Sequence, residues 1–351
     1  MSDLASKVAW QIFSKSLKLK KGSSVTVETW DCNEDLARKV ELEAAARGHS
    51  VITLYNDTDS FIKSANRLPA GRKVRLGKHE EALLRNTDAY VFIPGPELFY
   101  STTSLNHSRL RSAISYNMEW YRIAKESKLR GVRLGAGYFN SDAAASILGR
   151  TRKSIVDHLL NASLEDPSVL HRRAKLVSSC FRKGGKVTLD SGKFTLLFRT
   201  GKEEEIGDGR TDEEDLRSGN NMSDLPGGLY LREISGEAEG KIACASLTYQ
   251  GKSTKSVEIE FSKGRVVSFS SKSWEGDAEE SMSAYLSKQA NRAPTYLGVG
   301  LNSRLKPGYG RDSYSSGAVT LWIGQSARAV LMQPTLHSFG RTVVNRGRLA
   351  V

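Results

Sequence analysis

Cysteine and long apolar runs are scarce in this sequence. The 351 residues include three cysteines, Cys32, Cys180 and Cys244, which are too few and too scattered for a disulfide framework or a zinc knuckle. No window approaches the roughly 18 to 20 uninterrupted apolar residues that cross a membrane. The N-terminal stretch is patterned as an amphipathic helix and not as a signal peptide. These absences predict a cytoplasmic protein with no membrane partner.

Nucleotide-binding and catalytic motifs are also missing. The chain has no Gly-x-Gly-x-x-Gly turn after a strand, no Walker-type loop and no Gly-x-Ser-x-Gly elbow. Its six histidines include no pair at i, i+4 spacing and no His-x-His or His-x-Asp pattern. We therefore expect no cofactor; if there is one, it is a divalent metal ion. The sequence assigns no catalytic residue.

Positive charge is what the sequence has in excess. Residues 1–186 hold 31 Lys and Arg against 19 Asp and Glu, so they carry +12 of the formal net charge of +13. Such a basic half concentrates anions near its surface. The candidate anion-binding side chains form two clusters: Lys18, Lys20 and Lys21, and Arg72, Lys73 and Arg75. No nucleic-acid-binding motif accompanies them, so the favoured interpretation is a solvated surface, and weak nucleic-acid binding is the alternative.

The two halves of the chain differ in periodicity. The first half alternates helical spacing with strands at 25–29, 51–55, 89–93 and 131–134, and a helix is predicted over 105–128. This rhythm predicts an α/β fold, with a mostly parallel sheet in a domain spanning residues 1–168. Ligands of such sheets bind beyond the carboxyl ends of the strands.

The second half reads as a β-rich (α+β) domain over residues 169–351. The turn Asp190-Ser191-Gly192 predicts a hairpin, and short strands are predicted at 229–231, 242–249, 256–261 and 265–269. The acidic run 202–221 reads as a long loop, and one helix is predicted over 277–288. A helix over 167–181 joins the two domains.

The C-terminal block carries the most specific patterns. It contains Gly298-Val299-Gly300-Leu301-Asn302, then Leu321-Trp322-Ile323-Gly324-Gln325, then Pro334-Thr335-Leu336-His337. In this order the block resembles the C-terminal domain of the aminopeptidase T family of metallopeptidases. It is also similar to the dihydroxypyridine ring-opening dioxygenases, which look like a shorter branch of the same fold. Further collinear matches include Asp224-Leu225-Pro226-Gly227-Gly228.

The resemblance implies a set of metal ligands that this sequence does not keep. The family's two metal ions are held by two glutamates, two histidines, a tyrosine and an aspartate. The matching positions here are His337 and five substituted ones: Gly228 or Leu229, Thr295 or Tyr296, Thr320, Ala327 and Phe339. In the dioxygenase branch, one iron ligand is a histidine at the position of Tyr296. His337 is therefore the first candidate for a metal ligand and Tyr296 the second.

These substitutions favour a divergent member without peptidase activity. Two cations about 3.5 to 4 Å apart repel each other unless carboxylates bridge them. We predict a pseudoenzyme that keeps a cleft for a small ligand or peptide, with Tyr296, Asn302, Thr320 and His337 as the cleft candidates. His337 and Phe339 are predicted to face one side of a strand. The resemblance also implies a homodimer.

Two alternatives remain open. One is an active metal-dependent aminopeptidase or ring-opening dioxygenase with a displaced ligand set. The other is a protein that binds nucleic acid or another polyanion through its basic N-terminal half.

Overall fold

The chain folds into two compact units. The computed structural model describes residues 2–69, 71–95, 112–249, 252–273 and 278–351. Met1–Pro167 and Gly209–Gly227 form the N-terminal unit, and Ser168–Asp208 and Gly228–Val351 form the C-terminal unit. One unit contains a parallel sheet and the other a large antiparallel sheet, which confirms the predicted fold class.

The strands are numbered β1 to β16 in chain order. They are Ser24–Trp30, Ser50–Asn56, Ala89–Ile93, Arg130–Leu134, Lys186–Ser191, Phe194–Gly207, Met222–Leu225, Leu229–Tyr249, Lys252–Ser262, Arg265–Ser273, Pro294–Gly300, Val319–Ile323, Ala327–Leu331, Thr335–Ser338, Arg341–Asn345 and Arg348–Leu349. The α-helices are Ser2–Gln11, Glu34–Ala46, Thr58–Arg67, Lys78–Arg85, Asn117–Glu126, Asp142–Leu148, Arg152–Ser163, Pro167–Ser178, Glu213–Ser218 and Ala278–Ser287. No helix among the described residues combines the length and apolarity that a membrane crossing needs.

A five-stranded sheet forms the centre of the N-terminal unit. Its order is β2-β1-β3-β4-β7, and every neighbouring pair is parallel. The first four strands agree with the predicted ones. The predicted helix over 105–128 is described only in part: residues 96–111 lie outside the described ranges, and the helix observed beyond them is Asn117–Glu126.

The acidic run 202–221 is not the long loop that the sequence predicted. It contains the end of β6 and the helix Glu213–Ser218, whose first turn is capped by the Asp212 carboxylate accepting the N–H groups of Glu214 and Asp215. The following strand β7 pairs with β4 in the parallel sheet. Residues 209–227 therefore pack with the N-terminal unit, although the predicted division at residue 168 assigned them to the C-terminal domain.

The 21-residue strand β8 organises the antiparallel sheet. Its first half has β6 on one side and β11 on the other, and its second half has β9 on one side and β13 on the other. Because β12 pairs with both β11 and β13, the strands β8, β11, β12 and β13 close a ring. Their inward residues, such as Val299, Leu321 and Leu247, are fully or almost fully buried in the core of this unit.

Glu28 is a half-buried acid within the parallel sheet. Its Oε1 accepts a hydrogen bond from Asn56 Nδ2 at 2.8 Å, and its Oε2 accepts one from the Tyr90 hydroxyl. Burial raises the pKa of Glu28, although both hydrogen bonds oppose the shift. Burial, and then the charge of Glu28, also raises the pKa of Tyr90.

We predict that Glu28→Gln becomes increasingly stable relative to the parent as pH rises. A carboxyl group whose folded pKa is raised costs nothing below its unfolded pKa of about 4.3, and the cost grows as pH rises through the folded pKa. The measurement is urea unfolding of both proteins at several pH values, with the exposed Glu237→Gln as the control. A difference between Glu28→Gln and the parent that does not change with pH contradicts the prediction.

Candidate functional site

Tyr296 and Thr320 lie on one face of the antiparallel sheet. Tyr296 of β11 is directly opposite Trp322 of β12, and Thr320 is directly opposite Gly298. Directly opposed residues of an antiparallel pair project to the same face. We call the face that carries Tyr296, Gly298, Thr320 and Trp322 the Trp322 face.

The Trp322 face is closed by apolar packing where the family resemblance implies metal ligands. A Cβ atom placed on Gly298 would lie 2.7 Å from Trp322 Cζ3, and 3.3 Å from both Leu229 Cδ1 and Leu231 Cδ2. These distances leave no room for a side chain at position 298, so the Trp322 indole packs directly against the Gly298 backbone. The Arg328 guanidinium lies 5.3 Å from the centre of the Trp322 ring and covers it further.

Thr320 is fully buried on this face, and its hydroxyl has no hydrogen-bond partner among the residues that the structure describes. A buried hydroxyl without a partner costs free energy. Thr320 stands where the resemblance implies a histidine, and nothing in the described structure gives its oxygen a role.

Tyr296 is held as a neutral phenol. Its hydroxyl donates to Glu203 Oε2 at 3.2 Å. Burial raises the pKa of Tyr296, and the charges of Glu203 and Glu233 raise it further. Tyr296 therefore serves as a hydrogen-bond donor to Glu203 in this structure.

Glu233 is tied to the backbone beside Tyr296. Its Oε2 accepts the N–H groups of Lys202 at 2.9 Å and Glu203 at 3.2 Å. Its side chain crosses Gly201, where an added Cβ would lie 2.0 Å from the same oxygen. The Glu233 side chain therefore holds the backbone of β6 in place.

Asn302 has a structural role in the turn that follows β11. It is fully buried, and its Oδ1 accepts the N–H groups of Arg304 at 3.0 Å and Leu305 at 3.1 Å. Its Cβ would lie 2.8 Å from a Cβ added to Gly228. Asn302 thus explains why position 228 is glycine.

His337 lies on β14, away from the other three cleft candidates. It is opposite Thr188 of β5 and Thr342 of β15, and its Nδ1 is 3.1 Å from Thr342 Oγ1. In the pairing order, β5, β6 and β8 stand between β14 and β11. The structure therefore brings Tyr296 and Thr320 together, and no described contact joins either of them to His337.

The prediction that Phe339 lies on a strand with His337 was wrong. Strand β14 ends at Ser338, and Phe339 has φ +52° and Gly340 φ +76°. Positive φ at both central residues is typical of a type I′ hairpin turn. Phe339 is 57% exposed, and the Arg182 guanidinium lies 4.4 Å from the centre of its ring.

A depression of about 560 Å³ opens beside His337. Its lining combines bare backbone, two basic side chains, a hydroxyl, an imidazole and an aromatic ring, from Gly184, Gly185, Lys186, Thr188, Arg199, His337, Phe339 and Gly340. We call it the His337 pocket. Sequence reasoning named His337 but missed Lys186 and Arg199. The hairpin turn after Ser191 was the feature of the sequence that could have identified them, because the hairpin register places Lys186 opposite Arg199.

The side chains do not fit a two-metal centre. Among the described residues, no group of three or more His, Cys, Asp or Glu side chains is arranged to hold a metal ion. His337 has basic neighbours in its pocket, and a cation is repelled there. The described side chains therefore offer no ligand set for a metal-dependent reaction step.

The two predicted anion-binding clusters are exposed and lie toward opposite ends of the parallel strands. Lys18, Lys20 and Lys21 precede the amino end of β1. The loop of Arg72, Lys73 and Arg75 is tied by the Val74 N–H to Ser115 Oγ at 2.7 Å, just before the helix that returns the chain to the start of β4. The two clusters therefore do not form one continuous surface.

The two units and the long strand β8 form a fold that two solved structures share. Wild-type AmpT from Thermus thermophilus is similar to this chain with a TM-score of 0.70 at 13% identity, over 100% of both chains. The 2,5-dihydroxypyridine dioxygenase from Pseudomonas putida KT2440 gives a TM-score of 0.60 at 11% identity, over 100% of this chain and 97% of its own. No protein-family model and no curated protein matches the sequence. The predicted resemblance is confirmed at the level of the fold.

We predict that Thr320→Val raises the free energy of unfolding by about 1 kcal/mol, because it removes a buried hydroxyl that has no partner. The matched control is Thr200→Val. Thr200 is also fully buried, but its Oγ1 donates to the Arg182 carbonyl at 2.7 Å. The free energy of unfolding of Thr200→Val should therefore fall by about 1 kcal/mol. Denaturant unfolding measures both. A Thr320→Val variant as destabilised as the control shows that the hydroxyl has a partner.

We predict only weak, salt-sensitive binding of nucleic acid. Each phosphate neutralised lowers the slope of log affinity against log salt by about 0.9 on duplex DNA, and two separated clusters give few simultaneous contacts. The measurement is fluorescence titration with labelled oligonucleotides at two salt concentrations. Replacing Lys18, Lys20 and Lys21 together by Gln should flatten the slope. Binding that persists at high salt or selects a sequence contradicts the prediction.

Proposed function

We propose that this chain is a ligand-binding protein on an aminopeptidase T-like fold. It does not perform the two-metal peptidase reaction that the family resemblance implies, and its ligand site is the His337 pocket. The ligand is a small molecule or a peptide.

The packing of Trp322 on Gly298 is the observation that carries this proposal. Metal ions bound at that face would need carboxylate and imidazole ligands, and the Trp322 indole fills the space over Gly298. The neighbouring positions on that face hold Leu229 and Thr320 instead, and Ala327, opposite Ile323, faces the core on the other side of the sheet. Restoring a single ligand cannot rebuild the site, because the ring, the leucines and the bare glycine backbone fill it jointly.

The His337 pocket supports the binding part of the proposal. Its volume of about 560 Å³ falls within the range of about 300 to 1,000 Å³ that holds small ligands. It joins an imidazole, a hydroxyl and two basic groups to an exposed aromatic ring. Sites of this composition orient a ligand through a few polar contacts and bind its body through the apolar wall.

Two further properties belong to the same proposal. We expect the protein to act in the cytoplasm, because its three cysteines are too few and too scattered for a disulfide framework. We also expect a homodimer, as the family resemblance implies. Light scattering of the purified protein tests the second property, and a mass equal to one chain contradicts it.

We predict that the purified protein keeps no stoichiometric divalent metal after dialysis and does not hydrolyse unblocked dipeptides. Elemental analysis and a dipeptide assay test this, with AmpT from Thermus thermophilus as the positive control. Two metal ions per chain together with hydrolysis would establish the active aminopeptidase alternative. Ring opening of 2,5-dihydroxypyridine with added iron would establish the dioxygenase alternative.

Phe339→Asp sharpens the same test, because it restores the aspartate that the family resemblance implies. Phe339 is exposed and has a left-handed backbone conformation, in which Asp is more readily tolerated than Phe. We therefore expect a folded variant with stability within about 1 kcal/mol of the parent and no new zinc binding. Tight zinc binding by this variant contradicts the proposal.

A further inference from the structure

Two like charges face each other across the hairpin of β5 and β6. Lys186 is directly opposite Arg199 in the register of the two strands. Both side chains are exposed, and both line the His337 pocket. Like charges directly opposite each other destabilise a strand pair, so this arrangement costs free energy unless an anion lies between them.

The structure holds the Arg199 side chain in place without neutralising it. Arg199 Nη1 donates to the Gly184 carbonyl at 2.9 Å, which leaves the Nε and Nη2 edge of the guanidinium available. Among the described residues, neither Arg199 nor Lys186 forms an ion pair, and none of the pocket-lining residues is acidic. The free edge of a guanidinium matches a planar carboxylate in a bidentate manner.

The remaining walls suit the rest of such a ligand. The Nδ1 atom of His337 is engaged by Thr342, which leaves Nε2 for the pocket. Phe339 presents an exposed ring, and Arg182 on that ring adds a third positive charge beside the pocket. A small acid with an apolar body can therefore place its carboxylate between the basic groups and its body against the ring.

We propose that the His337 pocket binds the carboxylate of a small organic acid between Lys186 and Arg199, with the apolar body of the acid against Phe339. This inference rests on the proposed function and specifies the ligand class of its site. The paired like charges carry it, because a carboxylate turns their repulsion into two attractive contacts.

Isothermal titration with hippurate tests the inference, since hippurate joins a carboxylate to an aromatic body. The neutral hippuramide and inorganic phosphate are the comparison probes. We expect saturable binding of hippurate at low salt, and binding at least about 10-fold weaker for hippuramide, because the charge-assisted contacts are lost. Phosphate lacks the apolar body and should also bind more weakly than hippurate.

Variants locate the binding. Arg199→Gln should weaken hippurate binding by about 10-fold or more, and Arg199→Lys should recover part of the loss because it keeps the charge without the fork. Lys202→Gln on the same strand removes a positive charge outside the lining and should have no effect. Arg199→Gln removes both the cross-strand repulsion and the hydrogen bond to the Gly184 carbonyl. These two losses oppose each other, so the variant should remain folded under the titration conditions.

Several outcomes overturn the inference. These are no saturable hippurate binding, equal binding of hippuramide, tighter binding of phosphate, or hippurate binding that Arg199→Gln leaves unchanged. They leave the proposed absence of peptidase activity intact. Metal-dependent dipeptide hydrolysis, by contrast, overturns the proposed function whatever hippurate does.

Discussion

The contact between the Trp322 ring and the bare backbone of Gly298 constrains what this protein can do. It depends on the strand ring of β8, β11, β12 and β13, because that ring sets Gly298 opposite Thr320 and fixes the neighbouring leucines. A larger residue at position 298 would displace the indole. The packing that stabilises this face therefore leaves no free volume over Gly298.

The Trp322 face and the His337 pocket also differ in charge. Around Tyr296, acidic side chains raise the pKa of the phenol after burial has done so, and Glu233 is committed to backbone N–H groups. Around His337, the lining side chains that carry charge are basic. Among the described residues no group of three or more ligand side chains surrounds Tyr296, and we propose that the basic lining of the His337 pocket repels a cation and attracts an anion.

Periodicity predicted much of the fold, and the hairpin at Ser191 was visible in its turn residues. Strand β7 was not predictable from its own four residues, because its burial comes from pairing with β4. The full length of β8 was not predictable for a similar reason. Its polar middle section has the composition of a turn, and it is a strand because β6 and β9 pair with it. The substituted ligand positions were visible in the sequence, but the covering of Gly298 by Trp322 was not. The pocket residues Lys186 and Arg199 were missed because nothing in the sequence shows that β14, which carries His337, pairs with β5 of that hairpin.

Anomalous diffraction at the zinc edge tests the central claim most directly, using crystals of the full chain grown with excess zinc. The account predicts no pair of zinc peaks about 3.5 to 4 Å apart at the Trp322 face or beside His337, and an indole still resting on Gly298. A pair of peaks at either place, with the Trp322 ring displaced or with ligands recruited around His337, contradicts it.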